Sequence, residues 1–303
     1  MVHPGGWGCP IASQIVCGNI RKMSTSAYDS GMAAIDQYLD EHLARGRAYF
    51  TREEAQASLG SASHPLSVAL LRQVKKGRLA NPRRGFYLIL RPEDRTLGAP
   101  DPVRWIDPLM QSLKLDYRVA LLRAAAFHGS SHQAAMVFQV IVPRQVRGFE
   151  VGRQRVEFVY QSPSAFRQVN RSEWLGSIKS EAGFAKVAGL ELTLLDCARY
   201  FHQAAGITGL AQIAQDLGGQ ASADMLASIA AHYENSSVRR LGYLLERAGH
   251  LQQAEALRPF AKKAKTMALL DPSVKPLVEG LSDLREKAPD WLLVINEQVE
   301  VDF

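Results

Sequence analysis

Apolar and polar positions along this chain change period several times, and the most informative changes fall between residues 30 and 90. Met32, Ile35, Tyr38, Leu39, His42 and Leu43 recur at the three-and-four spacing of an amphipathic helix. A short run, Ala48-Tyr49-Phe50, then leads to Thr51, whose hydroxyl can accept from the open amides of a helix start. Glu53 and Glu54 follow in the first turn, where the helix dipole favours negative charge. That helix is expected to end at Gly60, with Ser61-Ala62-Ser63 as a turn. Ser63 or His64 opens the next helix, with Pro65 near its first position. At about 100° per residue, Leu66, Leu70, Leu71 and Val74 share one face. Val68, Ala69, Arg72 and Lys76 share the other, with Lys75 at its edge. Gly77 ends the helix, Arg78-Leu79-Ala80 reads as a strand, Asn81 to Gly85 as a turn, and Phe86 to Leu90 as the returning strand. This is the element order of a winged helix-turn-helix.

That order suits DNA, because the second helix of such a motif lies in the major groove while the remainder positions it on the backbone. The candidate contacts are Ser63, His64, Val68, Ala69, Arg72, Lys75 and Lys76. Arg72 and Lys76 can reach guanine edges or phosphates, and Val68 and Ala69 can meet a thymine methyl. Arg83 and Arg84 at the hairpin tip are candidates for phosphates or a minor groove. From Arg47 to Arg95 there are ten basic residues and four acidic ones. The blander readings are a solvated basic face, or a winged helix used for protein contacts; module and charge together favour double-stranded DNA.

After Leu90 the segment RPEDRTLGAPDP is rich in proline, glycine and charge, the composition of a linker. The expected division is a winged domain over 24–95 and a larger domain over 103–303. In the larger part, Trp105 to Leu113 and Tyr117 to His128 read as helices, and Met136 to Pro143 and Arg155 to Gln161 as strands. A helix from about Glu191 is followed by helical segments over 207–217, 221–232, 237–248 and 251–264. Met267 to Leu270 and Trp291 to Val301 look like late strands. The fold class is therefore α+β, a winged helix-turn-helix followed by a larger mixed α/β domain.

Composition narrows the classes only mildly. The apolar fraction of 47% and charged fraction of 22% are those of an ordinary globular protein. A formal charge of +6 over 303 residues favours an acidic partner such as nucleic acid. Cys9, Cys17 and Cys197 have no zinc-ligand spacing, which points to a reducing, cytoplasmic setting. No apolar run approaches the roughly 20 residues that span a bilayer, so no membrane partner is expected. Residues 1–22 are turn-rich and read as a disordered extension or a start-site error, with Met23 a natural alternative start.

Candidate chemistry outside the winged module is thin. His128 and His132 are four apart, but Gly129-Ser130-Ser131 breaks the helix between them and no third ligand lies nearby. Cys197, inside an amphipathic pattern, reads as a small buried apolar group. Glu297, Glu300 and Asp302 read as a solvated strand edge, and Asp196 has no acid–base partner that spacing can assign. With no G-x-S-x-G elbow and no Walker loop, no catalytic residue, metal or cofactor is expected. Arg239, Arg240 and Arg247 on one helix, with Lys262 and Lys263 soon after, are either a solvated face or a second basic surface for DNA phosphates or an acidic partner.

Several local patterns, taken in order, carry a family resemblance. They are Arg84-Gly85-Phe86-Tyr87, the helix closing on Ala126-Phe127-His128-Gly129, the Val-rich strand ending at Pro143, and the helix start Leu190-Glu191-Leu192-Thr193-Leu194-Leu195-Asp196. The stretches Lys265 to Pro272 and Trp291 to Asn296 complete the set. From about residue 30 to the end the chain resembles the AbiEi family, the antitoxins of type IV toxin–antitoxin (abortive infection) systems. The resemblance implies an N-terminal domain that binds inverted repeats in its own promoter. It also implies a C-terminal domain that supports repression and neutralises a separately encoded nucleotidyltransferase-like toxin. The alternatives are a stand-alone winged-helix regulator whose C-terminal domain senses a ligand or oligomerises, and an enzyme with an unrecognised site.

Overall fold

The computed structural model describes residues 34–60, 63–130, 137–180, 183–274 and 286–299. The expectations for residues 1–22, Met32, His132, Glu300 and Asp302 lie outside these. The described residues open with helix α1 (34–44), strand β1 (Tyr49–Thr51), helix α2 (Arg52–Leu59) and helix α3 (Ser63–Lys75). The hairpin β2 (Leu79–Arg83) and β3 (Phe86–Ile89) follows, and β1 joins it in a three-stranded sheet of order β1-β3-β2. The winged helix-turn-helix read from the sequence is thus present, with its first strand closing the sheet.

The wing sheet is buried on both faces. Phe50, Leu79 and Ile89 join Ile35, Leu39, Leu66 and Leu70 in a small core. Phe86 and Leu88, on the opposite face of β3, belong to the core of the larger domain. Alternate residues of the Phe86 to Leu90 run therefore serve two cores. The expected linker is also packed. A 3-10 turn at Glu93–Arg95 is followed by buried Ala99, Gln154 donates to the Ala99 carbonyl at 3.2 Å, and Trp105 donates to the Pro100 carbonyl at 2.9 Å. Gly98 and Gly152 both have positive φ, and their backbones meet so closely that a Cβ on Gly152 would lie 2.1 Å from the Leu97 carbonyl oxygen.

The larger domain is built on a six-stranded mixed sheet. Its strands are β4 (Arg118–Val119), β5 (Val137–Val142), β6 (Phe149–Val151), β7 (Gln154–Tyr160), β8 (Leu175–Ser180) and β9 (Gly183–Ala188). Their order is β6-β7-β5-β4-β9-β8, with β5/β7 and β4/β9 parallel. Helix α4 (Ile106–Ser112) packs by β9, α5 (Leu121–Phe127) packs on β5, and α6 (Pro163–Val169) follows β7. Helices α7 (Leu190–Arg199), α8 (Gly206–Leu217), α9 (Ala223–Ala230), α10 (Asn235–Arg247) and α11 (Leu251–Lys262) pack together beside this sheet. A small sheet of order β10-β12-β11 joins β10 (Ala268–Leu269), β11 (Glu286–Ala288) and β12 (Leu293–Ile295).

One helix expectation is corrected. Residues 117–128 are not one helix: Arg118–Val119 is strand β4 and the helix starts only at Leu121, which has φ +55°. The reason is a buried polar anchor on the strand. Arg118, fully buried, donates from Nε and Nη2 to the two Asp196 oxygens at 2.8 and 2.7 Å, and also to Gln161 at 2.8 Å. Tyr233 donates to the same carboxylate at 2.6 Å. Burial opposes the charge on Arg118, but Asp196 holds its pKa above the ordinary arginine value. Asp196 is thus committed to tying β4 to α7, since one buried charge without the other would be strongly destabilising.

Candidate nucleic-acid interface

The site is built from the start of α2 outward. Thr51 caps α2: its hydroxyl accepts from the Glu54 amide at 3.2 Å, and the Glu54 carboxylate accepts from the Thr51 amide at 2.7 Å. Such a box satisfies two open amides and contributes about 1 kcal/mol. Burial works against the Glu54 charge, yet the Thr51 amide and the Arg47 guanidinium hold its carboxyl below the usual range. Gly60, in the left-handed region, ends the helix as expected. Arg52 then donates to Ser67 Oγ at 2.6 Å and ties the start of α2 to α3.

Helix α3 is oriented by a buried amide. Leu66, Leu70 and Gln73 face inward, and Gln73, wholly buried, donates to Asp36 on α1 at 2.8 Å. Arg78 donates to the same Asp36 oxygen at 2.5 Å and to Asp40 at 2.6 Å. The inward face is therefore centred on Leu66, Leu70 and Gln73, with Val74 half-buried at its edge, and not on Leu66, Leu70, Leu71 and Val74 as expected from spacing. The rotation corrects one assignment: Leu71 is not core but 55% exposed. A glutamine was easy to place outside, and only the distant Asp36 reveals that it is paired and buried.

The outward side of α3 carries His64, Leu71, Arg72 and Lys75, with Lys76 just past its end, all exposed, and half-buried Val68 beside them. Ala69 is half-buried against the small core, so it borders this face. Ser63 opens α3; its side chain is outside what is described. At the wing tip the expected five-residue turn is tighter, because β2 runs to Arg83 and leaves only Arg84 and Gly85 (φ +82°) between the strands. Asn81 supports the bulge, donating to the Arg83 and Phe86 carbonyls, each at 2.8 Å.

The two wing arginines part company. Arg84 is exposed at the tip. Arg83 turns onto the larger domain, donating to the Arg147 carbonyl with its guanidinium 5.0 Å from the Phe149 ring centre and 5.9 Å from that of Phe158.

The expected second basic surface is corrected in part. Arg239 and Arg240 are buried, with 5% and 3% exposure. Arg239 donates to the Thr266 and Leu292 carbonyls at 3.0 and 2.8 Å, and Arg240 to those of Leu270 and Ala198 at 2.6 and 3.1 Å. Burial lowers the Arg240 pKa to about 10. These side chains clamp the small sheet to α10, because irregular backbone around it leaves carbonyls that only a long donor can reach. Arg247, Lys262 and Lys263 are exposed.

The remaining candidates have structural partners. His128 Nε2 lies 2.8 Å from the Ala188 carbonyl oxygen. Cys197 is buried, and burial raises its thiol pKa. Glu297 follows β12 beside Asp271; burial, with that neighbouring carboxylate, raises its carboxyl pKa. Among the described residues no group of three or more His, Cys, Asp or Glu converges to hold a metal ion. None of their helices is long and apolar enough to cross a membrane. An open concavity of about 820 Å³ lies along β6 and β7, where Arg155 and Glu157 pair with each other at 2.7 Å.

A basic helix-turn-helix whose wing is seated on a mixed α/β domain defines a two-part regulator of the winged-helix class. Family models agree on which one. Residues 37–89 match "Transcriptional regulator, AbiEi antitoxin" and residues 118–247 match "AbiEi antitoxin C-terminal domain", more than half the chain between them. The chain belongs to the AbiEi antitoxin family. Its fold is similar to the crystal structure of the RV2827C protein from Mycobacterium tuberculosis, with a TM-score of 0.58 and 16% identity over 86% of this chain and 90% of that one. No protein of curated function matches the chain.

Proposed function

We propose that this protein is a DNA-binding repressor and the antitoxin of a two-gene pair. It binds inverted repeats in its own promoter through α3 and the wing, and its larger domain neutralises a separately encoded nucleotidyltransferase-like toxin. The observation that carries the DNA reading is the outward face of α3, where Arg72, Lys75 and, just past its end, Lys76 are exposed around His64, with Arg84 exposed at the wing tip. In helix-turn-helix motifs the second helix lies in the major groove while the remainder positions it on the backbone, which supports this reading. The antitoxin reading rests on the family to which both parts of the chain belong. Within this reading residues 24–95 serve DNA and residues 103–303 serve the toxin. Two measurements test it. The full chain should shift DNA from upstream of its own reading frame and spare a scrambled duplex. Co-expression should also restore growth to cells expressing the neighbouring frame. Equal binding to both duplexes would overturn the repressor reading, and failed rescue by soluble, folded protein would overturn the antitoxin reading.

A further inference from the structure

Leu71 is the one large hydrophobic residue of α3 that is mostly exposed, at 55%. It is turned away from the small core that holds Leu66 and Leu70. On a helix its neighbours along the same side are Val68 one turn before and Lys75 one turn after. Arg72 is adjacent, and His64 lies two turns before. The patch is therefore a leucine and a valine framed by cationic or polar side chains on the side of the helix opposite the buried Gln73. A lone exposed leucine needs no special explanation, but this one borders a basic face, next to Val68 and Lys75. Such a frame is complementary to a polyanion, and the apolar groups of duplex DNA reachable by a helix are the thymine C5-methyls of the major groove.

We propose that Leu71, with Val68, selects thymine in the operator by packing on its C5-methyl group. The assignment rests on the DNA-binding reading above and adds which base α3 favours and by what contact. Arginine and lysine reach guanine edges and phosphates through hydrogen bonds. Leucine has no such group, so its discrimination comes from apolar area removed from water. Burial of one methyl corresponds to about fourfold in affinity.

The test uses the full chain and the promoter segment it protects from cleavage, with thymines replaced singly by uracil, which removes only the methyl. At one or two positions the wild type should lose about fourfold in affinity on uracil. Leu71→Ala should lose a similar factor on the thymine duplex and show no further loss at those same positions, whereas Leu71→Met should retain the thymine preference. Circular dichroism and solution mass of each variant should match the wild type. If uracil costs wild type and Leu71→Ala equally, or costs neither, the proposal is overturned. A change of solution mass on Leu71→Ala would also overturn it, assigning the leucine to contact between copies of the chain. If the wild type shows no preference for the promoter at all, the DNA-binding reading falls with it. Promoter preference with a flat uracil response overturns the Leu71 assignment alone.

Discussion

Arg83, the residue before the wing tip, stacks its guanidinium 5.0 Å from the ring centre of Phe149 in the larger domain, and its neighbour Arg84 does not share that contact. Adjacent residues of like charge are thereby given different duties. A cation over an aromatic face contributes about 0.5–2 kcal/mol, depending on its exposure. Arg83→Ala should therefore lower the unfolding free energy by roughly 0.5–2 kcal/mol in urea denaturation. Arg84→Ala should leave stability within about 0.5 kcal/mol. It should weaken binding to promoter and random DNA alike, and lower the log–log salt slope by about one unit. A reversed pattern would place Arg83, not Arg84, on the DNA.

Arg240 gives the opposite contrast to its sequence reading. Its removal strands the Leu270 and Ala198 carbonyls that it now serves. Arg240→Ala should cost roughly 2–4 kcal/mol of stability by calorimetry or denaturant titration. The salt slope of DNA binding by the remaining folded protein should not change. A loss of slope without a loss of stability would return Arg240 to the surface.

The segment joining the two parts should behave as packed chain. A Cβ at Gly152 would lie 2.1 Å from the Leu97 carbonyl oxygen, and the φ of Gly152 is +57°. Gly152→Ala should cost roughly 2–4 kcal/mol, combining left-handed strain with displacement of the linker. Trypsin should then cut at Arg95 well before it does in the wild type. Equal cleavage rates in the two proteins would mean that this contact does not hold the linker down.

His42 gives the winged part a pH dependence. It packs against Tyr38 and Phe50, with ring centres 4.3 and 6.1 Å away. Burial, followed by the Arg47 charge, lowers its pKa below the ordinary value, while Glu54 and Glu41 act weakly the other way. Neutral histidine is thus favoured in the fold. Its contribution is complete above the unfolded pKa, about 6.5, and is lost as pH falls through the lower folded value. The stability difference between wild type and His42→Leu should therefore move against the wild type as pH drops from 7.5 to 5. A constant difference across that range would remove His42 from the account.

Much of the fold was legible because its helices are amphipathic and capped by recognisable residues. Thr51, Glu54 and Gly60 bound α2 where the sequence places its ends. Less legible were elements whose stability comes from distant partners. Strand β4 has two residues and rests on β5, β9 and the Arg118–Asp196 pair, so an alanine-rich stretch beside it looked like one long helix. The hairpin β8–β9 alternates only weakly, since much of it is exposed. Helix α6 did leave a signal, Ser162 followed by Pro163 at its first position. The Phe86 to Leu90 run likewise has no polar position, which is the mark of a strand buried on both faces rather than a wing open to solvent. At the site, the basic residues of α3 were readable, but the helix's rotation was not. Gln73 and Leu71 exchange the places that hydropathy assigns them, because Asp36 draws the amide inward.

If α3 reads a base sequence, Arg72 is the residue whose loss should show it. Arg72 is exposed on the outward side of the helix, so its replacement should leave the fold intact. Wild type and Arg72→Ala should be titrated against the promoter duplex and a scrambled one at several salt concentrations. Arg72→Ala should lose roughly 1–3 kcal/mol on the promoter and little on the scrambled duplex, so that the preference between them collapses. An unchanged preference in a folded Arg72→Ala protein would contradict base reading by α3.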